Sequence, residues 1–403
     1  MTVMHATDLP ASDLLTDPLA LPILRTQPFM PPAFYAQLRA REPVKRVMLA
    51  GGGTAWLVAR HVDVRTALKD PRLSSDSRKP GFPEPQDADH TPFLIEMDAP
   101  EHTRLRRMLA AEFSPSRLAA LQADIQADAD RLIAAMLARG NSADLVADYA
   151  LPIPSLTICH LLGIPEADMA FFHEKVAVAF SLSEDKGAAF GTVMAYFEDL
   201  VTAKEKAPGD GLIDRLVVER VRTGELSHDD LVRLAFILMM AGFETTATMI
   251  ALGVATLFQY PDQLALFRAE HALTDGAVEE LLRFHSIGDS DGLRVAVADT
   301  EIGGQKIRTG EGVIPLVWSA NRDEAAFERP DHLDIRRDSR GQLAFGYGVH
   351  QCIGLNLARV EMRLALRTLF DRIPTLRLAV PVAELPFRYD AEVFGLKNLP
   401  VRW

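Results

Sequence analysis

The chain has 403 residues, of which 48% are hydrophobic and 24% charged, enough apolar material for a large core and too much for a chain disordered along its length. A formal net charge of −12 repels polyanions and argues against a nucleic-acid partner. Length alone suggests two or three domains.

Taken in chain order, the first residues, MTVMHATDLPASDLL, lack a basic region followed by an apolar core, so neither a signal peptide nor a membrane anchor is expected. Residues 1–32 hold Pro10, Pro18, Pro22, Pro28, Pro31 and Pro32 and read as an extended lead-in to a helix over AFYAQLRARE. Two short β-prone runs, KRVMLA and TAWLVAR, flank Gly51, Gly52 and Gly53 and predict a hairpin. From Ser77 to Pro92 the chain is proline-rich and aperiodic, an irregular loop. From Pro100 to about Leu273 helical segments follow one another, with Cys159 inside the apolar run LTICHLLGI.

The stretch Leu234 to Phe258 is long enough to span a bilayer and carries one charge, Glu244. A helix apolar on all sides is a membrane span or the centre of a large protein, and the second reading is preferred, with no membrane partner. Glycine and threonine in its Ala241-Gly242-Phe243-Glu244-Thr245-Thr246 segment weaken the helix ladder and predict a local widening. Thr246 is expected to bond a carbonyl four residues back. Glu280 and Arg283 lie one helical turn apart, a common ion-pair spacing that says little by itself. Leu293 to Val317 carries short β-type runs, and the end from Leu376 to Trp403 reads as strands and loops.

The run FGYGVHQCIGLNLAR sets Cys352 among Gly346, Gly348 and Gly354, directly before an amphipathic stretch. Glycines allow close approach of main chain to a flat ligand, and amides with the positive end of the following helix stabilise a negative sulfur. A structural zinc or an iron–sulfur cluster needs several ligands, whereas an axial thiolate on haem iron needs one. Mere burial of a small hydrophobe would require neither the glycines nor His350.

This run resembles the haem-binding loop of the cytochrome P450 family, matching its pattern at Phe345, Gly346, Gly348, His350, Cys352, Gly354, Ala358 and Arg359. The resemblance covers nearly the whole chain and is to the soluble bacterial type. It implies a mainly α fold with a small β-rich region, the cytochrome P450 fold, enclosing one haem b in a single domain, 1–403. It implies Cys352 as the metal ligand and Phe345, Gly346 and Gly354 as cofactor-binding positions. The segment DAPEHTRLRR resembles the propionate-binding helix, so His102 and Arg106, with Arg294 and His350, would hold the haem propionates. Glu244 and Thr245 would be the catalytic acid and alcohol that manage protons. Glu280 and Arg283 would be structural, with further partners from the segment NRDEAAFERPDHLDIRR.

By analogy with family topology the substrate pocket would draw on Phe93, Ile95, Phe180, Leu238, Ala241, Gly242, Leu293, Val393 and Phe394. The segment SIGDSDGLRVA departs from many relatives, which carry proline or threonine just before the arginine. With Cys352 holding iron no disulfide is available, and a reducing cytoplasm is expected. The expected activity is hydroxylation of an apolar medium or large organic molecule, such as a macrolide, steroid or polyketide, with O2 and two electrons. A ferredoxin and an NAD(P)H-dependent ferredoxin reductase would supply the electrons to a monomer. Arg359, Arg363 and Arg367, with Arg104 and Arg107, would offer a basic docking patch. The alternatives are a peroxide-using peroxygenase and a non-catalytic haem-binding sensor or carrier.

Overall fold

The computed structural model describes residues 18–87, 89–180, 185–289 and 292–403, so most of the lead-in, residues 1–17, lies outside the described residues. Contacts divide the chain into two compact units, residues 1–108 with 265–355 and residues 109–264 with 356–403. The strands in chain order are β1 (Val44–Met48), β2 (Thr54–Val58), β3 (Leu73–Ser74), β4 (Ser142–Asp144) and β5 (Arg294–Ala296). They continue with β6 (Thr300–Ile302), β7 (Gln305–Ile307), β8 (Gly312–Pro315), β9 (Arg377–Leu378) and β10 (Pro400–Arg402).

The first unit holds a sheet in the order β1-β2-β8-β5-β3. β1 and β2 form the predicted hairpin, from Val44 opposite Val58 to Met48 opposite Thr54, with the three glycines in the turn. β8 lies parallel to β2, Ala55 opposite Gly312. On this sheet packs the helix Ala33–Arg41, whose Phe34, Tyr35 and Leu38 join Val47, Leu57, Ile314 and Trp318 in one apolar cluster. The described end of the lead-in is tied down by a charge over an aromatic face. Arg25 stacks 3.6 Å above the Trp318 ring and donates to the Ser286 carbonyl at 3.0 Å. The unusual segment before Arg294 is anchored too: Asp289 accepts the Tyr35 hydroxyl and the Trp318 amide. The proline-rich residues 77–87 and 89–92 contain neither helix nor strand, as aperiodic sequence predicts.

The second unit is built mainly of helices, among them Pro115–Arg139, Lys186–Lys206, His228–Gly242 and Glu244–Gln259. Within residues 228–259 a stretch of 18 residues has a mean hydropathy of 1.6, and 78% of it is buried inside the protein. Ser227 caps its start by accepting the Asp230 amide. The sequence reading placed only helices between residues 100 and 273, yet β4 interrupts them. Gly140, at φ +147°, turns the chain out of the helix, and β4 pairs with β10, Ala143 opposite Val401. Such a partner, contributed by the far end of the chain, leaves no local signal.

Candidate active site

In the first unit the Cys352 loop is held by backbone geometry. Gly346 and Gly348 take φ of +69° and +80°, and a Cβ on Gly348 would lie 2.8 Å from the Leu68 carbonyl oxygen, so only glycine fits there. The Cys352 amide donates to the Phe345 carbonyl at 2.8 Å, closing the loop, and the thiol is exposed and forms no disulfide. The helix Leu355–Arg372 starts three residues later, with its positive end toward the loop.

Around this loop cations converge. His102 and Arg294 are buried, and the His102 and His350 rings lie 4.2 Å apart. Arg106 donates to the Gln351 carbonyl beside the cysteine. Burial, reinforced by Arg294, His102 and Arg106, pushes His350 down to about 3. Burial likewise pulls Arg294 down to about 10, with Asp98 opposing it. Asp98 is already engaged, accepting the Ser74 hydroxyl and the Ser75 amide. Among the described residues the Arg294 guanidinium donates only to the Leu293 carbonyl. A cluster of donors this rich and this poor in acceptors fits the two carboxylates of a haem, and the exposed thiol fits its iron.

Behind the loop Glu280 and Arg283 form a forked pair, both contacts at 2.8 Å and both side chains fully buried. The segment expected to add partners does so. Arg283 donates to the Asn321 and Pro330 carbonyls, and Glu280 accepts from Arg337, Ser339 and the Asp334 amide.

In the second unit the long apolar helix breaks at Phe243, where φ −118° and ψ −42° leave the helical ladder between Gly242 and Glu244. The predicted widening is therefore a full interruption. Thr245 donates to the Ala241 carbonyl at 3.0 Å across it. Expectation and structure part at Thr246. Its hydroxyl bonds the carboxyl of Glu361 instead of a carbonyl four residues back. Glu361 was missed in the sequence, although it lies on the apolar face of its helix with Leu357 and Ala365. Burial raises it to about 8, against hydrogen bonds from Thr157 and Thr246. Arg388, also missed, bonds the Glu244 carboxylate and the Thr248 hydroxyl.

The expected pocket residues fall in both units. In the first, Phe93 is half-buried, Ile95 exposed, and Leu293 partly buried against the sheet cluster. In the second, Leu238, Ala241 and Gly242 sit on the last turns before the break, with Ala241 exposed. Phe180 meets the C-terminal loop, its carbonyl accepting the Glu392 amide at 3.3 Å, next to Val393 and Phe394. Phe394 is buried and stacks on Phe387 at 5.7 Å.

A lone thiolate on a glycine-bent loop beside a carboxylate-binding cluster is the signature of haem-thiolate proteins. The sequence model of the family Cytochrome P450 matches residues 190–373. Pentalenic acid synthase of Streptomyces avermitilis is 46% identical over 96% of this chain and 98% of its own length. Vitamin D3 dihydroxylase of Streptomyces griseolus is 43% identical over 98% of this chain and all of its own. The crystal structure of cytochrome P450 MoxA from Nonomuraea recticatena superposes with a TM-score of 0.88 at 46% identity, covering 96% of this chain and 98% of that one. The chain belongs to the cytochrome P450 family. It is a monooxygenase of the soluble bacterial type, its cofactor is haem b, and it uses an organic substrate, O2 and redox partners.

Proposed function

We propose that the protein hydroxylates an apolar, medium or large organic molecule in the cytoplasm, as a monomer fed by a ferredoxin and its NAD(P)H-dependent reductase. The overall change takes a C–H bond, O2, two electrons and two protons to C–OH and water. The substrate is proposed to be a molecule such as a macrolide, steroid or polyketide, and a relative named as a dihydroxylase of vitamin D3 supports hydroxylation of a molecule of that size. The bound haem supplies oxygen binding and the oxidising power for C–H attack.

The chain's own residues supply the rest. Cys352 would hold the iron, with the loop amides and the helix end supporting its negative charge. His102, Arg106, Arg294 and His350 would orient the haem through its carboxylates. Glu244 and Thr245 would deliver the two protons, the hydroxyl by leaving the Ala241 carbonyl to face oxygen. Val393, Phe394, Phe180, Leu238, Ala241, Gly242, Phe93, Ile95 and Leu293 would line the substrate site. The observation that carries the reading is the break at Phe243, which sets an acid and an alcohol side by side where the helix ladder is open.

The test reconstitutes the holoprotein with ferredoxin, reductase and NAD(P)H, and separately with peroxide, on compounds chosen by a spectral-shift screen. Product from O2 with the ferredoxin system supports the proposal. Product with peroxide alone moves the reading to a peroxygenase, and binding without product under either condition to a carrier. Thr245→Ala is expected to lower product per O2 consumed by roughly tenfold or more. Unchanged coupling removes Thr245 from the relay.

A further inference from the structure

His228 opens the helix His228–Gly242, where the free amides of the first turn already carry partial positive charge. A cation is unfavourable there unless something offsets it, and the helix Lys186–Lys206 supplies that offset. Glu205 Oε1 stands 3.0 Å from His228 Nδ1, and Glu198 Oε1 stands 3.0 Å from Nε2. The two glutamates lie two turns apart on one helix face, ~10 Å along its axis, and the ring bridges them. A neutral imidazole has one N–H and one lone pair. It donates to one carboxylate only, and its other nitrogen then turns a lone pair toward the second. Both contacts are satisfied together only by the doubly protonated ring.

Other charged groups near this crossing are engaged elsewhere. Asp230 accepts from Arg233 at 2.7 Å, Lys204 pairs with Asp214 at 2.6 Å, and Arg222 donates to the Glu205 carbonyl at 3.2 Å. Asp229 adds a negative charge to the first turn. The bond to Glu205 holds the ring above its ordinary range, with Glu198 adding to it and burial opposing.

The helix Lys186–Lys206 is one half of a stiff pair. Its Tyr196 stacks on Phe171 at 5.4 Å and meets Phe172 edge-on at 4.9 Å, both on the helix Met169–Ala179, and the Tyr196 hydroxyl donates to Asp168 at 2.6 Å. Toward the other end Phe190 meets Phe236 of the long apolar helix at 5.6 Å. That apolar contact is indifferent to pH. The tie at His228 is not.

We propose that His228 is a pH-sensitive staple: as an imidazolium it pins the helix Lys186–Lys206 to the start of the long apolar helix through Glu198 and Glu205, and on losing a proton it lets one glutamate go, loosening the helix pair that ends at Phe180. Its reach to the substrate rests on the proposed lining role of Phe180. The tie is fully made below the ordinary histidine range and fades as pH rises through the raised range of the folded ring.

The experiment compares holoenzymes of the wild type with H228Q, H228R, E198Q and E205Q. Nitrogen-15 spectra of labelled histidine, with the His228 signals identified by their loss in H228Q, follow the ring against pH. It is expected to titrate above a free histidine in the wild type and at lower pH in E198Q and E205Q. Hydrogen exchange of residues 186–206, taken relative to the helix Pro115–Arg139, is expected to quicken about threefold or more over the same pH range in the wild type. H228R keeps a cation throughout and is expected to hold the slow rate, H228Q the fast one. E198Q and E205Q keep the test open should a His228 variant fold poorly, since each removes a single arm. A His228 that titrates like a free histidine, or exchange in the wild type as flat as in the two His228 variants, overturns the proposal. Release of 4-phenylimidazole from the ferric haem, read by absorbance, is expected to quicken over that pH range in the wild type and to stay level in H228R. Level release in the wild type overturns the link to Phe180 and confines the staple to the helix crossing.

Discussion

Arg283 has no exposed surface, yet all three of its guanidinium nitrogens are used, two on Glu280 and one on the Asn321 and Pro330 carbonyls. Removing one member of such a pair leaves a buried charge without its partner, which costs ~3–5 kcal/mol. Glu280→Gln is therefore expected to lower the unfolding midpoint sharply and to reduce the share of protein whose reduced carbonyl adduct has a thiolate spectrum. A midpoint within error of wild type would reduce the pair to an incidental contact. At this scale the sequence was legible where chemistry is contiguous: Cys352, His350 and the glycines occupy one short run. It was silent on Arg388, whose partner is 144 positions distant. It was also silent on the partner of Thr246, since nothing local shows that this threonine lies beside a buried acid.

Among the elements, the helix Leu355–Arg372 carries an acid on its apolar face. Glu361 is 1% exposed and one of its oxygens, Oε1, has no hydrogen-bond partner among the described residues. Its folded value of about 8 stands above the ordinary 4.5, so between these the folded chain keeps a proton that the unfolded chain has lost. Stability from this group is complete below the ordinary carboxylate range and falls as pH rises to about 8. Glu361→Gln removes that dependence. Its stability advantage over wild type is expected to grow from about pH 5 to about pH 8 and then level off, as read from denaturant midpoints. Parallel curves would show that Glu361 titrates normally. Periodicity alone could have flagged this residue, four places after Leu357 and four before Ala365. The hairpin β1–β2 was legible because its turn glycines are local, whereas the parallel pairing of β2 with β8 joins residues too far apart for any window to reveal.

For the whole molecule, charge decides how a redox partner approaches. The chain carries −12, so the proposed docking of an acidic ferredoxin would need a local basic site. The proposed arginines are unequal. Arg104 is already paired with Glu101, and Arg367 bonds Asp371 at 2.6 Å with 14% of its side chain exposed, whereas Arg107 is exposed. Arg107→Glu is therefore expected to slow ferredoxin-driven reduction of the iron on the order of tenfold at low salt, and Arg104→Glu by less. Stopped-flow reduction rates across ionic strength measure this, and rates indifferent to salt would dismiss electrostatic docking. Composition announced the overall charge correctly, but pairing between neighbouring side chains, visible only in three dimensions, decides which arginines can act.

A rod cut once has four ends. The interruption at Phe243 releases peptide amides and carbonyls in the middle of an otherwise hydrocarbon-rich segment, and Thr245 has taken up one of the released carbonyls, that of Ala241. The amides that open the second rod carry partial positive charge. Main chain thereby adds polarity deep in greasy surroundings, beside the ion pair that Glu244 makes with Arg388.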